Sequence, residues 1–238
     1  MFSAITPFAG TQPFNDWFVP DTVQRHVLGM RVLAVDPYWG AGEFQYIKST
    51  DALVKGSLVV WDELNQGVLL PSTTIQGFPF GVAMAPMASG VFGWIQLTGL
   101  AVYKTSATVA ADAAVAIAAA GVVGASAVSK QLVGVRNRFA ATATKTVAAG
   151  TTNGSNKLTT TGYDGFFLGM VLTGTGIAAA TTVVAALDPD GRTMYTGTAI
   201  GAASGKNSTA TGQITLTGTY TGYGAGVINH PFAQGAIT

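Results

Sequence analysis

The chain has 238 residues, of which Ala, Thr and Gly together supply 99; charged residues are 10%, Cys is 0 and the formal net charge is +1. Ordinary soluble domains carry roughly 25% charged residues. A charge this small and balanced gives no electrostatic footprint for nucleic acid or an anionic membrane, and the lack of cysteine excludes disulfides, thiolate metal sites and cysteine nucleophiles. At 48% hydrophobic residues, the chain is too apolar for charge-driven disorder. Its surface must be largely Ala, Thr, Gly and Ser, which suits a protein covered by partners better than a free monomer.

Residues 1–31 read as an extended arm. Phe2, Phe8, Phe14, Trp17 and Phe18 are five of the 16 Phe and Trp residues, and Pro7, Pro13 and Pro20 keep the backbone out of helix. Aromatics on such an arm must lie against the body or against another subunit. By the logic that buried aromatics anchor interfaces, these five are the candidate contact residues. The N-terminal stretch has no basic region followed by an apolar one, so no secretory leader is expected. The best membrane candidate, Val109–Val128, carries Asp112 and is mostly Ala and Gly, short of a strongly apolar span.

Residues 32–140 read as a central β domain, barrel or sandwich. RVLAVD, EFQYIKS, SLVVWDE, GVLL, FGVAMA, GWIQLTGLAVYK and KQLVGVRNR are short runs separated by Gly, Pro, Asp or Asn. Phe44, Tyr46 and Lys48 alternate with Glu43, Gln45 and Ile47, which predicts one aromatic face. Trp94 and Gln96 oppose Ile95 and Leu97 in the same way. Ala107–Ala127 fits helix by composition, yet Val115 and Ile117 with Gly121 and Gly124 fit a strand and turns.

Residues 141–223 read as a second, Thr/Gly-rich β domain, with strand candidates KLTTT, GMVLTG, TTVVAAL, TMYTG and QITLTGTY. The stretch 140–153 has the composition of a linker. Residues 224–238 read as a Gly-rich C-terminal strap. The expected fold is therefore mainly β throughout.

Catalytic signals are sparse. His26 and His230 are the only histidines, each read as a hydrogen-bonded structural residue, with no zinc-type spacing. Asp188-Pro189-Asp190-Gly191 reads as a turn, and Asp62-Glu63 as a hairpin end. Asp164 is the third region's remaining acid. Gly174–Ala179 matches a dinucleotide fingerprint by letter, but a β-branched run follows where a helix is required. No catalytic, cofactor or metal residues are assigned.

Two stretches carry a resemblance. Asp36–Lys48, Gly56–Val60, Gly81–Ala83 and Gly93–Gly99 resemble the strand-and-turn pattern of tailed-phage virion proteins, associated with head-decoration or cement proteins. Lys157–Thr161, Gly169–Ile177, Thr181–Val184 and Gln213–Thr217 are similar to a Thr/Gly-rich β module of phage structural proteins. Where that module's turn reads G-I-P-x-G-T-T-V, this chain has Ala178-Ala179-Ala180. The resemblance implies a non-enzymatic cement protein on the outer surface of the capsid, a homotrimer that binds the major capsid protein, with no cofactor, nucleic acid or membrane. Two alternatives stand beside it. One is a tail or head fibre or adhesin using Tyr220 and Tyr223 for host glycans; the other is a cell-wall hydrolase, which would need clustered acids or histidines.

Overall fold

The computed structural model describes residues 3–4, 18–36, 40–73, 77–106, 109–127, 130–151, 157–159, 166–167, 169–177, 181–186, 193–197 and 212–234. These form eighteen strands in three sheets, so the fold is mainly β.

The first sheet contains β1 (Ser3–Ala4), β2 (Arg31–Asp36), β3 (Gly40–Ser49), β4 (Leu58–Trp61), β5 (Gln66–Leu69), β6 (Gly81–Ala83) and β7 (Phe92–Gln96). Its long strand β3 serves three neighbours. One edge pairs with β2 over Gly40–Gln45 and then, in parallel, with β5 at Lys48 and Ser49; the other pairs with β7 over Phe44–Lys48. Since β5 pairs β4, β4 pairs β6 and β6 pairs β7, the circuit closes on β3. The central domain is thus built on a small barrel. Closure satisfies the edges that an open sheet would leave bare.

The period-2 alternation sorts side chains between two cores. Ile47, Val59, Ala83, Ile95 and Leu97 fill the barrel with Leu53 and Met87. Phe44, Tyr46 and Trp94, one residue out of phase, form the expected aromatic face on its outside. Gly67 lines the interior because a Cβ there would press on Ile47 and Val59.

The second sheet has the order β10–β9–β11–β18–β8, all antiparallel, from β8 (Thr98–Lys104), β9 (Ala114–Ala119), β10 (Val122–Ala125), β11 (Gln131–Phe139) and β18 (Tyr223–Ala233). The run GWIQLTGLAVYK is therefore two strands. The chain leaves the barrel at Leu97 and enters the second sheet at Thr98. Leu58, Leu70, Phe80 and Val82 of the barrel wall share a core with Ala101, Tyr103, Val115, Ile117, Val123, Leu132 and Ile228. Within Ala107–Ala127, strand wins over helix: β9 and β10 form a hairpin turning at Gly121, whose φ is +66°. Its β-branched Val115, Ile117 and Val123 are buried, so tertiary packing overrides the helix preference of alanine.

The third sheet has the order β12–β17–β14–β15–β16–β13, from β12 (Thr142–Thr151), β13 (Lys157–Thr159), β14 (Val171–Thr173), β15 (Thr181–Ala186), β16 (Thr193–Gly197) and β17 (Gly212–Thr219). Each of the five runs expected there contains a strand. The supposed linker at 140–153 is a correction. Thr142–Val147 pairs residue for residue with Ile214–Thr219, because alternating threonines suit a strand whose partner has the same pattern. On β17, Ile214 and Leu216 are buried while Thr215 is exposed. The buried side joins Phe166, Phe167, Met170 and Leu172 in the cluster that also holds Val32, Ala34, Phe44 and Trp94. The two domains expected from composition thus share one core cluster.

Of the segment expected as a C-terminal strap, residues 224–233 belong to β18, an interior strand between β11 and β8.

Candidate functional site at the root of the arm

Of the five candidate contact residues, Phe2, Phe8, Phe14 and Trp17 lie outside the described residues. Phe18 is half-buried and packs against the cluster containing Tyr46 and Trp94. The arm's first described residues, Ser3 and Ala4, pair with Val35 and Ala34 of β2.

Residues 18–30 form an irregular strap across the aromatic face of β3 and β7. It is fastened at Asp21. The Asp21 N–H donates to the Phe92 carbonyl at 2.8 Å, and the Phe92 N–H donates back at 2.9 Å. The buried Asp21 carboxylate accepts the Tyr46 hydroxyl at 2.7 Å and faces Arg25 Nε at 3.2 Å. The Arg25 N–H donates to the same hydroxyl at 3.3 Å. Burial, then the Asp21 contact, pushes the Tyr46 phenol far above its usual pKa, so it stays a donor. His26 is buried, edge-on to Tyr46 at 5.0 Å and against Trp94 at 5.3 Å. The strap then runs beside β3: the Gly29 N–H donates to the Tyr46 carbonyl, and the Tyr46 N–H to that of Met30.

The outer side of the strap is different. Val19, Val23 and Val27 are 55%, 71% and 75% exposed. The strap thus turns Phe18, Asp21, His26, Leu28 and Met30 inward, and leaves Val19, Val23 and Val27 on its outer side beside the exposed Thr22, Gln24 and Arg25.

Of the remaining candidates, those among the described residues make structural contacts. His230 Nε2 lies 3.2 Å from Glu43 Oε2, whose other oxygen is 3.4 Å from Arg31 Nη1. Asp62 Oδ1 accepts the N–H groups of Leu64 and Gln66, closing the β4–β5 hairpin. Gly174–Gly176 turns between strands β14 and β15, as a Gly-rich β connection should. Asp164, Asp188 and Asp190 lie outside the described residues. Among the described residues, no group of three His, Asp or Glu side chains could hold a metal ion.

Tyr220 and Tyr223, expected to be exposed, are half-buried: their rings stack at 4.0 Å, and Tyr220 also meets Phe167 at 6.0 Å. Aromatic rings lose water by covering one another, so the faces a sugar would need are largely taken.

Sequence reasoning missed Lys55. It sits in a Val-Lys-Gly-Ser turn, and its Nζ is buried against the Phe18 ring. No local signal marks it, because its cover comes from a residue 37 positions earlier.

No family model matches the chain, and no curated protein or solved structure matches it.

Proposed function

We propose that this chain is a non-enzymatic structural protein of a tailed-phage virion. It binds the outside of the capsid as a homotrimer and cements neighbouring major capsid subunits against internal DNA pressure. The observation that carries this reading is the two-sided strap. Its inner side chains lock it to the barrel, while Val19, Val23 and Val27 leave apolar surface open to a neighbour. Area buried across a joint between subunits slows dissociation of each. The resemblance to phage decoration proteins and the weakly charged surface support the same reading.

The test is copy number in purified virions, by quantitative mass spectrometry against the major capsid subunit. A number comparable with that subunit is expected. Removing residues 2–17, which leaves the Asp21 anchor in place, should then abolish or strongly weaken attachment. A handful of copies per particle selects the fibre or adhesin alternative instead, and absence from the particle overturns both.

A further inference from the structure

Lys55 occupies a turn that cannot easily move. The Val54 N–H donates to Ser57 Oγ at 3.2 Å, and the Ser57 N–H to the Val54 carbonyl at 3.0 Å. Gly56, at φ +79°, is wedged between strands, its N–H bonded to the Ala83 carbonyl and its carbonyl accepting from Lys104 N. A Cβ at Gly56 would stand 3.0 Å from Lys104 N and 3.1 Å from Tyr223 Cε1. The amine is therefore presented by a fixed backbone. Its Nζ is buried, has no hydrogen-bond partner among the described residues and lies 4.9 Å from the centroid of the Phe18 ring.

Unpartnered buried amines are rare, since leaving such a group without an acceptor costs free energy in either protonation state and most in the charged one. The ring face of Phe18 offers a cation some compensation, less than water would. The cover is also the part of the strap nearest its upstream end. Asp21 is the fastening, and Phe18 lies beyond it, across Val19 and Pro20. Phe18 can lift without breaking either Asp21–Phe92 bond.

We propose that Phe18 and Lys55 form a proton-linked latch at the root of the arm. Closing the ring over the amine expels its proton, and protonation lifts the ring and frees the arm's base. Burial holds the Lys55 pKa down to about 7 from 10.5. Among the described residues, the charged and titratable groups of the strap have partners of their own, and two more flank the turn. On the strap, Asp21 and Arg25 pair with each other and His26 packs on Tyr46 and Trp94; beside the turn, Lys104 and Tyr223 approach Gly56. The sign follows from linkage: the closed form binds fewer protons than the open one between pH 7 and 10.5, so closure strengthens as pH rises through that window and is weakest below it. The latch is a property of the isolated chain and does not depend on what the arm reaches.

The experiment is hydrogen exchange at the Phe18 and Val19 amides of the full chain, corrected for intrinsic exchange. Protection should rise on the order of a hundredfold between about pH 6 and pH 9, and Lys55→Met should remove that dependence. In parallel, NMR of carbon-labelled lysine should show Lys55 titrating near 7, returning toward the ordinary lysine value in Phe18→Ala. An ordinary titration of Lys55 in the unaltered chain overturns the proposal, as does a pH dependence that survives in Lys55→Met. If Lys55→Met does not fold, the wild-type titration and Phe18→Ala decide.

Discussion

Asn137 shows what one side chain can hold in this fold. It is fully buried on β11, where its Oδ1 accepts the Tyr103 hydroxyl at 2.8 Å. Its Nδ2 lies within donating reach of the Val109, Ala110 and Phe139 carbonyls, at 3.2, 2.8 and 3.1 Å. The amide thus ties the chain before β9 to β11. Asn137→Ala strands the Tyr103 hydroxyl and the carbonyls, and should cost about 2–4 kcal/mol, read as a shift in denaturant midpoint. Tyr103→Phe removes one bond and should cost about 1–2 kcal/mol. Gly226 completes the arrangement, because a Cβ there would collide with the Arg136 carbonyl and the Tyr103 hydroxyl. None of this was legible in the sequence. Asn137 stands near the end of the run KQLVGVRNR with nothing local to single it out, and its partners lie up to 34 residues away.

At the scale of elements, the barrel and the second sheet depend on glycines at two kinds of place. Inside the barrel, Gly67→Val would add bulk against Ile47 and Val59, with an expected loss of about 1–3 kcal/mol by overpacking. On β11, Gly134 has φ +76°, and a Cβ there would stand 2.7 Å from the Asn229 carbonyl. Gly134→Ala should therefore destabilise through both backbone strain and contact, by about 1–3 kcal/mol in the same measurement. The strands themselves were legible. EFQYIK alternates because β3 has a core on each side, and each Thr/Gly run became a strand because its branched side chains suit a pleated face. Closure was not. It turns on a parallel pairing of Lys48–Ser49 with Gln66–Gly67, which needs the β4–β5 hairpin to carry β5 back beside β3 and has no local pattern to mark it. The break at Leu97 was hidden for a similar reason, since both halves of that run alternate in phase.

For the whole molecule, pH acts through opposing groups. Burial pushes the phenols of Tyr46, Tyr103 and Tyr220 well above their usual pKa. An unfolded chain ionises tyrosine from about pH 10, so the stability these phenols contribute is complete below that value and lost as pH rises past it. Lys55 works in the other direction between pH 7 and 10.5. The thermal midpoint should hold or rise toward about pH 10 and fall beyond it, and Tyr103→Phe should soften the alkaline fall. Scanning the midpoint with phenolate absorbance as a second probe checks both limbs. The arm candidates remain the least readable part: the sequence marks them as aromatic, but only Phe18 has a described place, on its own chain.

The third sheet is inserted between β11 and β18, whose ends meet where the Tyr220 N–H donates to the Ala141 carbonyl at 2.8 Å. On a ribosome this sets an order of events. The barrel strands emerge early, as do β8 and β11, but the strand that belongs between those two is made only after the whole insertion, roughly ten seconds later at ordinary elongation rates. During that interval β8 and β11 present open edges to every neighbouring nascent chain. Synthesis that stops before Tyr223 leaves them so permanently, and such fragments should aggregate rather than assemble.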